Sequence, residues 1–346
     1  MTPINITPSS SSVLTRRAFA QKSAMTIAAA TLVGLGAPAI AQQAKTLRFG
    51  HSQPPDTNAH QAILMFGKEL ARLSSGKLKL EVYPSSQLGG LAEMLQSVQA
   101  GGLSMSMAVP AWYSSFVKPL DAFTLPYLVS SEARLRAALD GTLGKELTRR
   151  ADSAGFVMTG YWLLGGRHIV NKRGPVNTPA DCKGLKVRVI NSQVYIQTFR
   201  ALGANPVAMD PSELYLALQQ GVIDGFEFPL QDLVSAKLYE VAKYVSLDRH
   251  TIDFYAVSTN KALWTSLAAE EQGMIAQAMK TAMDWQWKTQ PVVIADAETK
   301  LRGMIQVNDI TPANRKLFLD ATRPVYKSFE GSIGKDFIDL AVKELS

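Results

Sequence analysis

Two arginines are the side chains best placed to do chemistry in this sequence. Arg188 stands between two valines in the alternating stretch 186–189, a pattern typical of a strand, and Arg167 follows two glycines that let the backbone bend. A central strand is buried on both faces, and an unpaired buried charge costs several kcal/mol. Because no acid lies close to Arg188 in sequence, its partner is either a distant Asp or Glu or the carboxylate of a ligand.

The sequence carries no motif that marks a catalytic or metal site. It has no nucleophile elbow and no phosphate-binding loop, and none of its four histidines has the spacing of a metal site. Cys182, the single cysteine, lies in a polar turn with no neighbour that would lower the pKa of its thiol. These features favour a binding protein without a cofactor. The alternative is a secreted enzyme in which His51 or His168, each at a strand end, acts as the base.

Composition and charge narrow the class of partner. The chain has 346 residues, of which 47% are hydrophobic and 19% charged, enough for one large domain or two lobes with their own cores. Residues 1–41 contribute +3 to the net charge of +7, and the remaining +4 is spread along the chain without a run of Lys and Arg, which argues against nucleic acid. A small positive excess favours anionic small molecules as partners.

Residues 1–41 have the three regions of an export signal. Arg16 and Arg17 precede a short apolar run, and Ala39-Ile40-Ala41 supplies the small residues that a signal peptidase reads. The paired arginines resemble a twin-arginine signal, and the run is shorter than the ~20 residues that a membrane span needs. We therefore expect cleavage after Ala41 and a periplasmic mature chain.

The first part of the mature chain predicts a β-α-β-α-β unit. Strand patterns near 47–50, 77–83 and 105–109 alternate with helical patterns, which favours a mainly parallel sheet. Trp112 and Tyr113 follow the third strand, at the edge where open α/β sheets bind ligands. These two rings either line a pocket or pack over the edge of the sheet.

The second part predicts a further α/β unit. A strand over 156–164 is expected to end at Gly165-Gly166, where we place the change from the first lobe to the second. Residues 268–309 form a long helical region that Pro291 is expected to kink or split, and 313–329 form the last helical stretch. The predicted fold class is α/β with two lobes.

A set of motifs lies on these elements, and together they are specific. They are Gln87-Leu88-Gly89-Gly90 with Glu93, Leu125-Pro126-Tyr127, Gly166-Arg167, Asp181 with Gly184-Leu185-Lys186-Val187-Arg188-Val189, Ala201-Leu202-Gly203-Ala204-Asn205-Pro206, Met209 with Ser212-Glu213-Leu214-Tyr215, and Leu218 with Gly221, Asp224 and Gly225. Over residues 45–330 the chain thereby resembles the substrate-binding proteins of tripartite ATP-independent periplasmic (TRAP) transporters, the DctP type.

The resemblance implies a type II-like periplasmic binding protein fold, with a hinge between two lobes and a long helix that spans both. Lobe I would comprise 42–164 and about 250–290, and lobe II 165–249 and about 291–346. The protein would be a monomeric receptor that captures an organic acid between the lobes and delivers it to membrane permease subunits. A receptor that feeds a sensor protein is the alternative use.

The resemblance also implies which residues bind the ligand. Arg188 would pair with the carboxylate of the acid, because a planar guanidinium suits bidentate binding. Further contacts are expected from Arg167, Asn191 and His51, whereas Glu93 either contacts the ligand or caps a helix.

One position departs from the family pattern. Some relatives have Asn where this chain has Phe228, and the added ring, with Trp112 and Tyr113, suggests an aromatic or branched ligand tail. A metal ion joins the carboxylate in some relatives, but nothing in this sequence indicates one.

Overall fold

A single nine-stranded sheet runs through residues 44–346, the part of the chain that the computed structural model describes. The predicted signal peptide, 1–41, lies outside the described residues. The strands are β1 (Lys45–Gly50), β2 (Leu78–Tyr83), β3 (Met105–Ala108), β4 (Phe156–Asn171), β5 (Lys186–Val189), β6 (Asn205–Ala208), β7 (Gly225–Pro229), β8 (Tyr244–Asn260) and β9 (Gln306–Asp309).

Twelve described helices flank this sheet. They are α1 (Asn58–Leu73), α2 (Leu91–Ala100), α3 (Pro110–Tyr113), α4 (Glu132–Asp140), α5 (Thr142–Asp152), α6 (Gln193–Ala201), α7 (Leu214–Gln219), α8 (Leu230–Ser235), α9 (Lys261–Ser266), α10 (Ala269–Met304), α11 (Pro312–Ile333) and α12 (Lys335–Leu345). Among the described helices, none is both long enough and apolar enough to cross a membrane.

Two long antiparallel strands divide the sheet into two lobes. The strand order is β2-β1-β3-β8-β4-β7-β5-β6, with β9 beside β8. One end of the β4–β8 ribbon pairs with β3 of the first lobe, and the other end pairs with β7 and β9 of the second lobe. Within each lobe the remaining pairs are parallel, as the βαβ pattern predicted. The two-lobe α/β fold is thus confirmed.

The longest helix belongs to both lobes. It packs against α1 of the first lobe and against α8 of the second lobe. Met279 of α10 joins a core with first-lobe residues, whereas Leu301 joins the core of the second lobe. Pro291 lies inside this 36-residue helix without ending it, so, of the kink or split predicted there, the split does not occur. The expected helix end at 309 is wrong, because 306–309 form strand β9.

Helix α12 packs on the first lobe, whereas α11 also contacts α6 of the second lobe. The sequence predicted no helix beyond 329, but α11 reaches Ile333 and α12 follows it. Phe337, Ala341 and Leu345 share one helical face and are buried in the same core as first-lobe residues. The sequence-based division, which placed 291–346 in lobe II, stays a prediction.

Strand β4 continues where the sequence predicted its end. The strand runs through Gly165 and Gly166 to Asn171, with register shifts between Leu163 and Gly165 and between Arg167 and Ile169. Gly165 has a φ of 106°, a left-handed value that glycine adopts without strain. The glycines therefore bend the strand instead of terminating it, and the bend lies where the chain passes between the lobes.

Candidate functional site

Arg188 lies in the middle of the second-lobe half-sheet. Strand β5 runs between β6 and β7, and the guanidinium of Arg188 is fully buried. Its Nε and Nη2 donate to the carbonyl of Met209 at 2.9 and 2.8 Å, while Nη1 makes no hydrogen bond to a described residue. Burial lowers the pKa of Arg188 to about 10, which leaves the group cationic at neutral pH. One guanidinium edge is thus held rigidly and the other can donate.

Arg167 is already paired with protein carboxylates. Its Nε donates to Glu227 Oε2, its Nη2 donates to Glu227 Oε1 at 3.0 Å, and its Nη1 donates to Asp253 Oδ2 at 3.3 Å. Burial alone would lower the pKa of Arg167, but the carboxylate of Glu227 raises it well above the ordinary value. The sequence left a distant acid as one possible partner of Arg188. In the structure, it is Arg167 that forms hydrogen bonds to such distant acids.

Glu227 is a site residue that the sequence interpretation missed. Burial alone would raise its pKa, but Arg167 and His250 outweigh that effect and lower it to about 2. His250 Nε2 lies 3.6 Å from Glu227 Oε2, and His250 Nδ1 lies 2.9 Å from Asp248 Oδ2. The available signal was a lone acid between two phenylalanines in the apolar strand 225–229.

A cavity of about 310 Å³ lies between the lobes, with Arg167 and Arg188 in its wall. Half-buried Trp112 of the first lobe and Phe228 of the second also line it. The ring of Phe228 lies 5.9 Å from the Arg167 guanidinium, and the ring of Tyr195 lies 5.6 Å from it. The volume fits a small organic molecule. Four of the eight predicted contact residues are therefore brought together.

About half of the other lining residues of this cleft are polar. Seven of them carry hydroxyl or amide groups and two carry carboxylates: Ser52, Gln53, Ser85, Ser86, Ser212, Ser235, Tyr255, Asp210 and Asp232.

Tyr113 and Glu93 do not lie among the lining residues of this cleft. Tyr113 is fully buried in the first-lobe core, where its hydroxyl donates to the carbonyl of Ala256 at 3.0 Å and lies 2.9 Å from Ser258 Oγ. Glu93 caps α2, because its Oε2 accepts the backbone N–H of Gly90 at 2.9 Å. Of the two roles predicted for Glu93, this contact supports the cap.

Asn191 and His51 are also outside the described lining of the cleft. Asn191 is exposed to solvent in the turn before α6. His51 is fully buried, with its Nε2 3.1 Å from Nδ1 of His60. Burial, reinforced by His60, lowers the pKa of His51 to about 3, so the ring is neutral at physiological pH. A ligand contact by either residue would need a rearrangement.

Among residues 44–346, no three His, Cys, Asp or Glu side chains are grouped so that they could hold a metal ion. His168, the other histidine considered as a base, is buried, and its Nδ1 accepts the backbone N–H of Arg249 at 3.3 Å. Burial lowers the pKa of His168 to about 3. His168 is therefore neutral at physiological pH, and it is not among the residues that line the cleft.

Comparison with known proteins agrees with this geometry. The family model described as "Bacterial extracellular solute-binding protein, family 7" (DctP) matches residues 49–332. The 2,3-diketo-L-gulonate-binding periplasmic protein YiaO of Escherichia coli (strain K12) is 34% identical over 280 residues, which are 80% of this chain and 84% of that protein.

Two solved structures are similar along nearly their whole length. The sugar acid binding protein DctPAm of Advenella mimigardefordensis, in complex with galactonate, has a TM-score of 0.84 at 28% identity and covers 88% of this chain and 99% of its own. A TRAP periplasmic solute binding protein of Sulfurospirillum deleyianum with bound succinate has a TM-score of 0.81 at 30% identity and covers 87% and 99%.

Proposed function

The chain belongs to family 7 of the bacterial extracellular solute-binding proteins, the DctP family, and from this premise we propose that it is the periplasmic receptor of a TRAP transporter. It captures an organic acid between its two lobes and delivers the acid to the membrane permease subunits. The three similar proteins reported above are binding proteins, not enzymes. The name or the bound ligand of each identifies an organic acid. We further propose that the signal at 1–41 exports the chain by the twin-arginine route.

The observation that carries the proposal is the state of Arg188 in the cleft. Its Nη1 is buried in the cavity wall and makes no hydrogen bond to a described residue, although a buried charged donor without a partner is costly. A ligand carboxylate supplies the missing acceptor and the negative charge together. Arg167 supports the same site by binding Glu227, whose Oε1 lies 3.9 Å from Arg188 Nη1.

The proposal is tested by calorimetry on the exported protein with a panel of organic acids. Arg188→Gln keeps a planar polar group but removes the charge, so the affinity for the cognate acid should fall about ten- to hundredfold. Arg72→Gln is the matched control, because Arg72 is exposed and pairs only with Glu69 among the described residues. Unchanged affinity in Arg188→Gln, with the fold intact by circular dichroism, would contradict the proposal.

Phe228 bears on the nature of the ligand tail. Its ring is nearly buried, contacts the edge of Phe226 at a centroid distance of 5.8 Å and covers the Arg167 guanidinium. The ring thus shields the Arg167–Glu227 ion pair from water. An aromatic or branched ligand tail remains the prediction from sequence, and aromatic acids belong in the binding panel for that reason.

A further inference from the structure

The cleft offers one carboxylate-binding position. Arg167 and Arg188 are the cations among the lining residues, and the N–H groups of Arg167 face Glu227 and Asp253. Arg188 donates from Nε and Nη2 to a backbone carbonyl, and its Nη1, which lies 3.9 Å from Glu227 Oε1, makes no hydrogen bond in the described chain. If a ligand carried two carboxylates, Arg188 would bind one of them, and the other would have no cationic partner among the lining residues, because Arg167 is already paired.

The remaining charges in the wall are negative. Asp210 Oδ1 accepts from the backbone N–H of Ser212 at 3.0 Å and from its hydroxyl at 2.8 Å, which fixes this carboxylate at the start of a turn. Asp232 is half-buried on α8. Its carboxylate lies near the hydroxyl of Tyr255 and interacts electrostatically with Arg167 and Asp253. Burial raises the pKa of Asp232 to about 7, so the carboxylate is mainly ionised at pH 8. At that pH it accepts hydrogen bonds and repels a second anion.

A second cavity, of about 460 Å³, continues from the first along α10. The two cavities share five lining residues, Gln53, Leu164, Asp232, Ser235 and Tyr255. Asp232 therefore stands at the junction, with Arg188 in the first cavity and the open second cavity beyond. Lys300 lines only the second cavity and is exposed, one helical turn from Asp296. It does not provide a cation next to Arg188 for a short diacid.

We propose that the cleft prefers a monocarboxylate that carries hydroxyl groups over a dicarboxylate, and that Asp232 is the residue that sets this preference. The inference rests on the proposed function, in which Arg188 binds the carboxylate of an organic acid. Asp232 accepts hydrogen bonds from hydroxyl groups of the ligand and disfavours a second carboxylate at the same place. The serine side chains of the wall, among them Ser85, Ser86 and Ser235, complement further hydroxyl groups.

The test is calorimetry at pH 8 on the exported protein with three sets of probes. They are hydroxylated monocarboxylates (D-galactonate, D-gluconate, glycerate), dicarboxylates (succinate, malate) and monocarboxylates without hydroxyl groups (benzoate, butyrate). We expect at least one acid of the first set to bind ten times more tightly than any acid of the other two. In Asp232→Asn, the ratio of the affinity for this hydroxy acid to the affinity for succinate should fall at least tenfold. The reason is that Asn does not repel an anion and accepts hydrogen bonds less strongly than a carboxylate.

Asp296→Asn is the control, because Asp296 is exposed in the second cavity and does not line the first; its preference should match the native protein within twofold. A second variant, Asp232→Ser, and the thermal midpoint of each protein guard against a folding defect. The inference fails if a dicarboxylate binds the native protein as tightly as every hydroxy acid, or if both Asp232 variants keep the native preference while folded. If no acid of any set binds, the proposed function itself is wrong.

Discussion

Arg188 Nη1 and Glu227 Oε1 lie 3.9 Å apart across the neighbouring strands β5 and β7. The distance is short enough for electrostatic attraction in a buried site and too long for a hydrogen bond. Both oxygens of Glu227 accept hydrogen bonds from Arg167 instead. Glu227 therefore stabilises the charge of Arg188 without occupying its Nη1, which stays available to an anion.

This relationship predicts that Glu227→Gln lowers the stability of the protein but leaves anion binding in place. The variant removes the buried counter-charge of Arg167, so the free energy of unfolding should fall by about 3 kcal/mol. Carboxylate binding should persist, because Arg188 loses a competing anion and keeps its contacts to Met209. Urea unfolding and calorimetry on the same sample measure both quantities.

Glu213→Gln is the control for this variant, since Glu213 is an exposed acid in the same part of the second lobe. It should leave the free energy of unfolding within about 0.5 kcal/mol of the native value. Equal stabilities of the two variants would show that the Arg167–Glu227 pair does not stabilise the folded protein.

His250 makes the stability of the protein depend on pH above neutrality. Burial alone would lower its pKa, but Asp248 and Glu227 raise it from 6.5 to about 9. The folded protein therefore holds this proton more tightly than the unfolded chain. The stabilisation is fully present below pH 6.5 and is lost as pH rises through about 9. A shift of this size corresponds to about 3 kcal/mol.

The measurement is urea unfolding of the native protein and of His250→Gln at pH 6, 7.5 and 9.5. The difference in unfolding free energy between the two proteins should shrink as pH rises, because the variant lacks the titrating ring and other groups cancel in the comparison. A constant difference over this range would mean that folding does not raise the pKa of His250.

The position of Arg188 could be predicted from sequence, whereas its surroundings could not. Alternation in Lys186–Val189 placed the guanidinium on a buried strand with a need for a partner. The acid near this guanidinium, Glu227, lies on β7. Local sequence patterns do not encode which strands pair, and therefore they do not show that β7 pairs with β4 and β5. The same limit hid the ion pair of Arg167 with Glu227, 60 residues apart.

Aromatic residues and glycines show a second limit. Trp112 and Tyr113 are adjacent, yet one lines the cleft and the other is buried in the core, because successive side chains point in different directions. Gly165 correctly marked a bend, but a glycine that ends a strand and one that allows a bulge within it look alike in sequence. Only the partner strand β8, which continues past this point, distinguishes the two.

The export route predicts a specific defect for the paired arginines. Arg16→Lys combined with Arg17→Lys keeps the charge of the signal but removes the twin-arginine pattern. The precursor should then accumulate in the cytoplasm, and the processed chain beginning at Gln42 should disappear from the periplasmic fraction. Lys22→Arg is the control and should be exported normally. Unimpaired export of the double variant would assign the signal to the general secretion route.

Gly165 is predicted to be indispensable for the bend between the lobes. A methyl group at this position would meet Ile294 of α10, with Cδ1 only 2.5 Å from the added carbon, and a φ of 106° is strained for any L residue. Gly165→Ala should therefore lower the free energy of unfolding by about 2 kcal/mol. Gly174→Ala, where an added methyl group meets nothing within 4 Å and φ is not left-handed, should have little effect.

A double variant separates the two causes at Gly165. Ile294→Ala removes the contact but not the backbone strain. The cost of Gly165→Ala in free energy of unfolding should therefore be smaller in the Ile294→Ala background than in the native protein, but it should not vanish. Because Gly165 precedes Arg167 by two residues on β4, the strained variants should also bind the acid more weakly. Full recovery of both stability and affinity in the double variant would show that α10 packing, not the left-handed backbone, requires glycine here.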